Sequence, residues 1–303
     1  MNNKKIVVIG SINNDLVIEV DKAPVMGETV FGHNFSQIPG GKGSNQAVAC
    51  ARLGADVYFV GAVGDDGAGP VMIKGFTNNN VDVSGIKTVP GIPTGTAVII
   101  VSGGDNYIAV DHGANYFVDK KQVDDAEDLI KEADMVILQL EIPYETVIYA
   151  IERCKTFGIP VMLDPAPAPK KEAHESGLLA DVDMITPNEF EAFALTGIMP
   201  KTTEDAFKAA MRLSEMGVKQ VVITLGENGC VYGSGKEFKH LPAVFVKDVI
   251  DTTAAGDSFT AALAVSLIEG YSLDEAVAFA SKVGSITVSR KGAQPSLPYR
   301  SEL

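Results

Sequence analysis

The 303-residue chain is short of cysteine and of positive charge, and each shortage removes a class of protein. Its three cysteines, Cys50, Cys154 and Cys230, are odd in number and far apart. They make neither a disulfide framework nor a zinc spacing, so a reducing compartment, the cytoplasm, is expected. Lys and Arg number 25 against 39 Asp and Glu, a formal net charge of −14 at pH 7. That balance argues against a general nucleic-acid binder, although a nucleotide needs only a local positive patch. No apolar run reaches the length of a membrane span, so no membrane partner is expected either. The run after Met1-Asn2-Asn3-Lys4-Lys5 stops at Ile9 and is expected to be a strand, not a secretory signal. Repeats, low-complexity tracts and linkers are also missing, so a single domain over 1–303 is expected.

What is present is a globular composition, 46% hydrophobic and 21% charged. Lys5 to Ile9 is unbroken and apolar, as in a strand covered on both faces. From Asp124 onward, strand-like runs at Met135–Leu138, Val161–Leu163, Met184–Ile185 and Val221–Thr224 alternate with helix-like runs. These helix-like runs are Glu145–Phe157, Asn188–Leu195 and Glu204–Met216. Such alternation predicts an α/β fold, a parallel sheet with helices on both faces. Val231–Tyr232, Glu237–His240 and Val244–Val249 read as short strands. Asp257–Glu269 and Asp274–Ser289 read as closing helices, the second with a capping box at Ser272 and Glu275. Two early β segments, about 12–39 and 94–112, break this rhythm and pair most simply into a small separate sheet, a lid. Thr94–Val101 is apolar on both faces. A second copy would bury what a solitary lid exposes, so a homodimer through the lid is expected.

The motifs that could carry chemistry lie at turns. Asp251-Thr252-Thr253-Ala254-Ala255-Gly256-Asp257 runs into a helix pattern. Backbone N–H groups of such a loop can converge at the helix start, where the dipole favours an anion. Asp257 is then either a general base for a hydroxyl that attacks phosphate or a residue that favours the helix dipole. Gly40-Gly41-Lys42-Gly43-Ser44-Asn45 is no Walker A loop, because Gly43 follows Lys42. Its glycines permit close backbone approach, and Lys42 and Asn45 offer donors to a ligand's hydroxyls; a plain Gly-rich turn is the other reading. Asn13 and Asp15 follow the first strand and share a face if extended, able to grip neighbouring hydroxyls or to form an Asx turn. Glu141 follows a strand in the same way. Asn188 and Glu191 have capping-box spacing, and the pair could also organise hydrated magnesium and phosphates. Thr224-Leu225-Gly226-Glu227-Asn228-Gly229 is either a hairpin turn or a bend around a nucleotide. Ser289 to Ser296 is a compact loop whose carbonyls, with Asp251–Thr253, could coordinate a cation; an ordinary basic loop is the other reading.

Taken in order, these motifs resemble those of the ribokinase-type (PfkB) sugar kinases over essentially the whole chain. The resemblance rests on Gly10 to Asp15, Gly40 to Ala47, Gln139-Leu140-Glu141, Thr186 to Glu189, Ile223 to Gly226, Asp251 to Asp257 and Arg290 to Ser296. It implies a three-layer sandwich with a central mostly parallel sheet and a small β lid. It implies ATP-dependent phosphorylation of ribose at the 5-hydroxyl, with Asp257 as base and Ala254, Ala255 and Gly256 as anion hole. Asn13, Asp15, Gly41, Lys42, Asn45 and Glu141 match sugar positions, with Asp257 reaching the same sugar. Asn188, Thr224, Gly226, Gly229 and Gly256 match ATP positions, with Glu191 near Mg2+. Potassium ligands would fall at Asp251, Thr253, Thr287, Arg290, Gly292 and Ser296, several through carbonyls. The family's closing motif reads Gly-Asp-x-Phe-Asn-Gly-Ala, whereas this chain has Thr260 and Ala261 at the Asn and Gly positions.

Three rivals differ in class or substrate. A relative acting on deoxyribose, fructose or a nucleoside shares the chemistry, and close approach at Gly40-Gly41 suits a small pentose best. A silent sugar sensor would be expected to have lost the acidic base, and Asp257 is present. A dinucleotide dehydrogenase would need GxGxxG after the first strand, where Gly10-Ser11-Ile12 stands.

Overall fold

A strand without polar residues is stable only where both its faces are covered. In the computed structural model, which describes residues 4–103, 105–169 and 177–303, β1 (Lys5–Ile9) is such a strand past its first residue, with Ile6 to Ile9 fully buried. β2 (Asn13–Val20) and β3 (Gly32–Gly40) leave it for a separate sheet. β4 (Asp56–Gly64) and β5 (Val81–Val89) return to run parallel to β1 on one side. β6 (Gly95–Ser102) and β7 (Asp105–Asp111) complete the small four-stranded sheet in the order β3-β2-β6-β7. β8 (Met135–Leu138), β9 (Val161–Leu163), β10 (Met184–Ile185) and β11 (Gln220–Thr224) extend the main sheet in parallel on the other side of β1. β12 (Cys230–Ser234) and β13 (Glu237–Leu241) run antiparallel and close that edge, making nine strands in the order β13-β12-β11-β10-β9-β8-β1-β4-β5.

Helices cover both faces: α1 (Lys42–Arg52), α2 (Ala68–Asn78), α3 (Lys120–Asp125), α4 (Glu127–Lys131), α5 (Tyr144–Phe157), α6 (Glu189–Thr196), α7 (Thr203–Glu215), α8 (Ala255–Ile268) and α9 (Leu273–Thr287). Alternate strand residues sort the core in two. Val7, Ile9, Val136 and Leu138 pack with Val147 of α5, Ala192 of α6 and Leu213 of α7. Ile6, Val8 and Ile137 pack with Val48 of α1, Leu263 of α8 and Val277 of α9. Each fully buried aliphatic side chain contributes roughly 1.5–3 kcal/mol, so both faces hold the sheet rigid. α8 is buried nearly all round, which fixes the helix whose first turn carries Asp257. Among the described residues no helix is long and apolar enough to cross a membrane.

Some expectations needed correction. Val244–Val249 is not a strand; it lies in irregular chain between β13 and α8. β13 is the last strand of the sheet, so this segment has no neighbour to pair with, and Val244, Phe245 and Val249 are exposed. β5 was not read as a strand, because Ser84-Gly85 interrupts its sequence like a turn. Gly85 is needed there because a Cβ would stand 2.6 Å from the Phe59 carbonyl of β4. α3 and α4 are too short for their periodicity to stand out.

Candidate active site

The polar motifs meet at the carboxyl ends of the parallel strands, where open α/β sheets place ligands. β1 delivers Gly10 to Asn13, β8 delivers Gln139 to Glu141, β9 delivers Asp164, β10 delivers Thr186 to Asn188, and β11 delivers Thr224. The small sheet stands over the same end through β2, which starts at Asn13.

One half of the site is built around the Gly40-Gly41 turn. Gly41 caps α1 at φ 88°, ψ 134°, a region that disfavours any side chain. A Cβ on it would stand 2.8 Å from the Asn13 nitrogen, and one on Gly40 would stand 2.1 Å from Asp15 Oδ2. The turn therefore presses against Asn13 and Asp15, both buried. Asn115 donates to Asn13 Oδ1 at 2.8 Å and is itself tied to both backbone groups of Ile12. Glu141 Oε2 accepts from the Lys42 backbone N–H at 3.0 Å and from the Ser11 hydroxyl. Burial, then the charges of Glu141 and Asp257, pushes the Asp15 carboxyl up to about 7.

Asp257 lies at the centre, in the first turn of α8 and buried. Adjacent residues of α1 hold its two oxygens: Asn45 donates to Oδ2 at 2.8 Å and Gln46 to Oδ1 at 3.2 Å. Burial raises its proton affinity, and Lys42, Asn45 and Gln46 oppose that rise. The Lys42 side chain reaches a cleft of about 180 Å³ that Asp164, Asn188, Glu191, Gly256 and Asp257 also line. Burial alone would lower the Lys42 pKa, but the charges of Asp257, Asp164, Glu141 and Glu191 hold it above its ordinary value, so it is a fixed cation. Ala254 takes a left-handed conformation at φ 60° and starts α8 without a side-chain cap. Among the described residues the N–H groups of Gly256 and Asp257 have no hydrogen-bonded acceptor, whereas that of Ala255 donates to Thr252 O at 3.2 Å. The helix start thus points free donors and its dipole at the cleft, beside one acid and one lysine.

A groove of about 1030 Å³ continues from the cleft and shares Asn188, Thr224, Thr252, Ala255 and Gly256 with it. Its outer walls carry Phe190, Val246, Val249 and Phe259, a fit to a flat apolar ring. Asn188 and Glu191 form the full capping box of α6: Asn188 Oδ1 accepts from the Glu191 N–H at 2.9 Å, and Glu191 Oε2 accepts from the Asn188 N–H at 2.8 Å. Gly226 and Gly229 flank a short 3₁₀ turn that joins β11 to β12, so this motif is a hairpin connection whose residues also line the groove.

The two C-terminal loops are tied together. Asp251 accepts from the Thr253 N–H at 2.9 Å, from the Thr253 hydroxyl at 2.6 Å and from the Gly292 N–H at 2.8 Å. The side chains of Thr287, Arg290 and Ser296 turn elsewhere, to Ser258 Oγ, Glu302 and Ala293 O respectively. Lys291 reaches Glu19 of β2 at 2.5 Å and links this loop to the small sheet. Among the described residues no group of three or more His, Cys, Asp or Glu could hold a metal ion.

Sequence reading missed Asp164, Gln46, Gln139 and Asn115 as site residues. Gln46 is fully buried, and Asp164 lines the cleft. Gln46 and Gln139 lie inside two of the stretches that carry the family resemblance, Gly40 to Ala47 and Gln139 to Glu141, but neither has a signal of its own in the sequence.

The match to known proteins follows this geometry. The model of the pfkB family carbohydrate kinases matches residues 3–300. The chain belongs to the pfkB family of carbohydrate kinases. Within that family it is 40% identical to the ribokinase of Haemophilus influenzae, over 99% of this chain and 97% of that one. It is also 40% identical to the ribokinase of Bacillus subtilis, over 99% and 98%. The structure of Arabidopsis thaliana ribokinase complexed with ribose and ATP superposes with a TM-score of 0.89 at 34% identity, covering 99% of this chain and 97% of that one. This pfkB chain thus shares the fold of its relatives throughout, small sheet included.

Proposed function

We propose that this chain transfers the γ-phosphoryl group of ATP to the 5-hydroxyl of D-ribose, giving ribose 5-phosphate and ADP. The observation that carries the reading is Asp257: a buried carboxylate at an uncapped helix start, between a polar, glycine-pressed half-site and an apolar groove. The ribokinase relatives and the Arabidopsis complex with ribose and ATP support the choice of sugar and donor.

Ribose lies against the Gly40-Gly41 turn, with Asn13, Asp15, Asn45 and Glu141 on its ring hydroxyls. Its 5-hydroxyl reaches Asp257, which takes the proton as oxygen attacks phosphorus. The base occupies the large groove, and the triphosphate enters the small cleft. Phosphoryl transfer depends on positioning and charge stabilisation more than on covalent chemistry. The free N–H groups of Gly256 and Asp257, the α8 dipole and Lys42 meet the charge on the transferring group. The small sheet acts as a lid that excludes water, so ATP is spent on the sugar and not on hydrolysis.

Asn188 and Glu191 suit a hydrated Mg2+, since one carboxylate with rigid neighbours fits an ion that keeps its waters, and Mg2+ would neutralise phosphate charge there. The loops at 251–253 and 287–296 suit K+, because one carboxylate with several carbonyls is a weak, hard-oxygen donor set. Exposed Val98, Tyr107, Ile108 and Val110 on the small sheet favour a homodimer through it. The free, buried thiols of Cys50, Cys154 and Cys230 suit a reducing cytoplasm.

The test is ADP release with D-ribose, 2-deoxyribose, fructose and a nucleoside, each with and without K+. Ribose should give the highest kcat/KM, and K+ should raise it. Turnover confined to the nucleoside would remove ribose from the reading.

A further inference from the structure

Asp257 is not held by its sugar-side neighbour alone. The Gln46 amide nitrogen donates to Asp257 Oδ1 at 3.2 Å and to Asp164 Oδ2 at 2.7 Å. Its oxygen accepts from the Gln139 amide at 2.6 Å. Gln46 and Gln139 are fully buried and Asp164 is nearly so, so water does not compete for these bonds. Two carboxylates face one end of the Gln46 amide, and while both are ionised only its NH2 end can satisfy them. The opposite end must then be an acceptor, and Gln139 supplies the donor. Room for Gln139 comes from glycines: a Cβ on Gly10 would stand 2.0 Å from its Oε1, and one on Gly43 would stand 2.9 Å away.

We infer that Gln46, anchored by Asp164 and oriented by Gln139, is a positioning residue that sets the rotation of the Asp257 carboxylate toward the attacking hydroxyl. The inference rests on Asp257 being the base of the proposed kinase reaction. Asn45 grips Oδ2 and Gln46 grips Oδ1, from neighbouring positions on one rigid helix. With one hydrogen bond on each oxygen, each keeps a free lone pair and neither can swing away. Without Gln46 the carboxylate pivots about its bond to Asn45, and small angular errors at a base are costly. Gln46 is fully buried and lines neither the cleft nor the groove, so binding is not its task.

The test compares Gln46→Met, Asp164→Asn and Asp164→Ala with wild type in steady-state ribose phosphorylation. Gln46→Met keeps length and volume but cannot donate. Its kcat should fall about 10–100-fold, the range of one lost hydrogen bond to a charged group, while KM for ribose and for ATP stays within about twofold. Asp164→Asn still offers an oxygen to Gln46, so its loss of kcat should be smaller than that of Asp164→Ala, which should fall with Gln46→Met. A merely structural role would not give this split or this rescue. Gln46→Met with wild-type kcat, or with KM for ribose raised as much as kcat falls, overturns the inference and leaves the kinase reading intact. Wild type without ribose turnover overturns both. Should Gln46→Met not fold, Gln139→Met reads the same chain one bond further away, with a smaller loss of kcat expected and an unchanged kcat overturning the inference.

Discussion

Asn45 Nδ2 lies 2.8 Å from Asp257 Oδ2, although 212 residues separate the two in sequence. The contact joins the start of α1 to the start of α8 and brings the Gly40-Gly41 half of the site to Asp257. Asp257→Asn keeps shape and removes the base. A positioned general base contributes about 10²–10⁴-fold, so kcat should fall by that factor while ribose KM changes little. Steady-state kinetics with ribose checks this; near-normal turnover would reassign the base. Asn45→Ala should lower kcat and also raise ribose KM, because Asn45 serves both the acid and the sugar.

Asp15 carries a pH prediction. Its folded-state pKa of about 7 lies above the ordinary 3.8, chiefly through burial and then through Glu141 and Asp257. A raised carboxyl contributes stability that is complete below the unfolded value and is lost as pH rises through the folded one. The window therefore runs from about pH 4 to pH 7, and the sugar-free protein pays up to ~4 kcal/mol for ionised Asp15 above it. Asp15→Asn removes that cost. Melting without sugar should show the variant gaining on wild type from pH 4 to pH 7, while its ribose affinity is weaker throughout. A gap that stays constant across that range would mean Asp15 does not titrate there.

Gly41→Ala tests the backbone. Its φ of 88° and the 2.8 Å approach of a Cβ to the Asn13 nitrogen give strain of about 1–3 kcal/mol. The melting temperature should fall by several degrees, and ribose KM should rise more than ATP KM, because the turn is displaced away from the sugar half alone. Equal effects on both substrates would disconnect the turn from the sugar.

The parts of this molecule legible in sequence were those with local signals. β8, β9 and β10 were bounded to the residue, because each is a short apolar run between turns. The capping boxes of α6 and α9 also follow from spacing alone. What was not legible depends on distant partners. β5 is a strand because β4 lies beside it, and residues 244–249 are not one because β13 leaves no neighbour beyond the sheet edge. The Gln139–Gln46–Asp164 chain joins three elements and leaves no periodic trace in any of them. The segments of the small sheet were readable as β but not the parallel pairing of β2 with β6.

The two C-terminal loops yield the last prediction. Among the described residues Asp251 is the only side chain that bridges them, through the Gly292 N–H, and hydrogen bonds from Thr253 and Gly292 help to keep its carboxyl below the usual range against the effect of burial. It therefore stays ionised at neutral pH and supplies one negative charge beside the carbonyls. Asp251→Ala removes that charge and the side-chain bond to Gly292, while the backbone bonds of Ile250 and Asp251 to Val288 O remain, so the K+ concentration for half-maximal activity should rise at least about tenfold, the equivalent of ~1.4 kcal/mol. Thr287→Val is the contrasting variant. The Thr287 hydroxyl points to Ser258 Oγ and Val283 O, so its loss leaves every carbonyl in place. Its K+ titration should match wild type, even if stability drops by about 1 kcal/mol for the lost hydrogen bond. A K+ response unchanged in Asp251→Ala would show that the cation acts elsewhere. A response lost in Thr287→Val would show that a hydroxyl, and not a carbonyl, is the ligand.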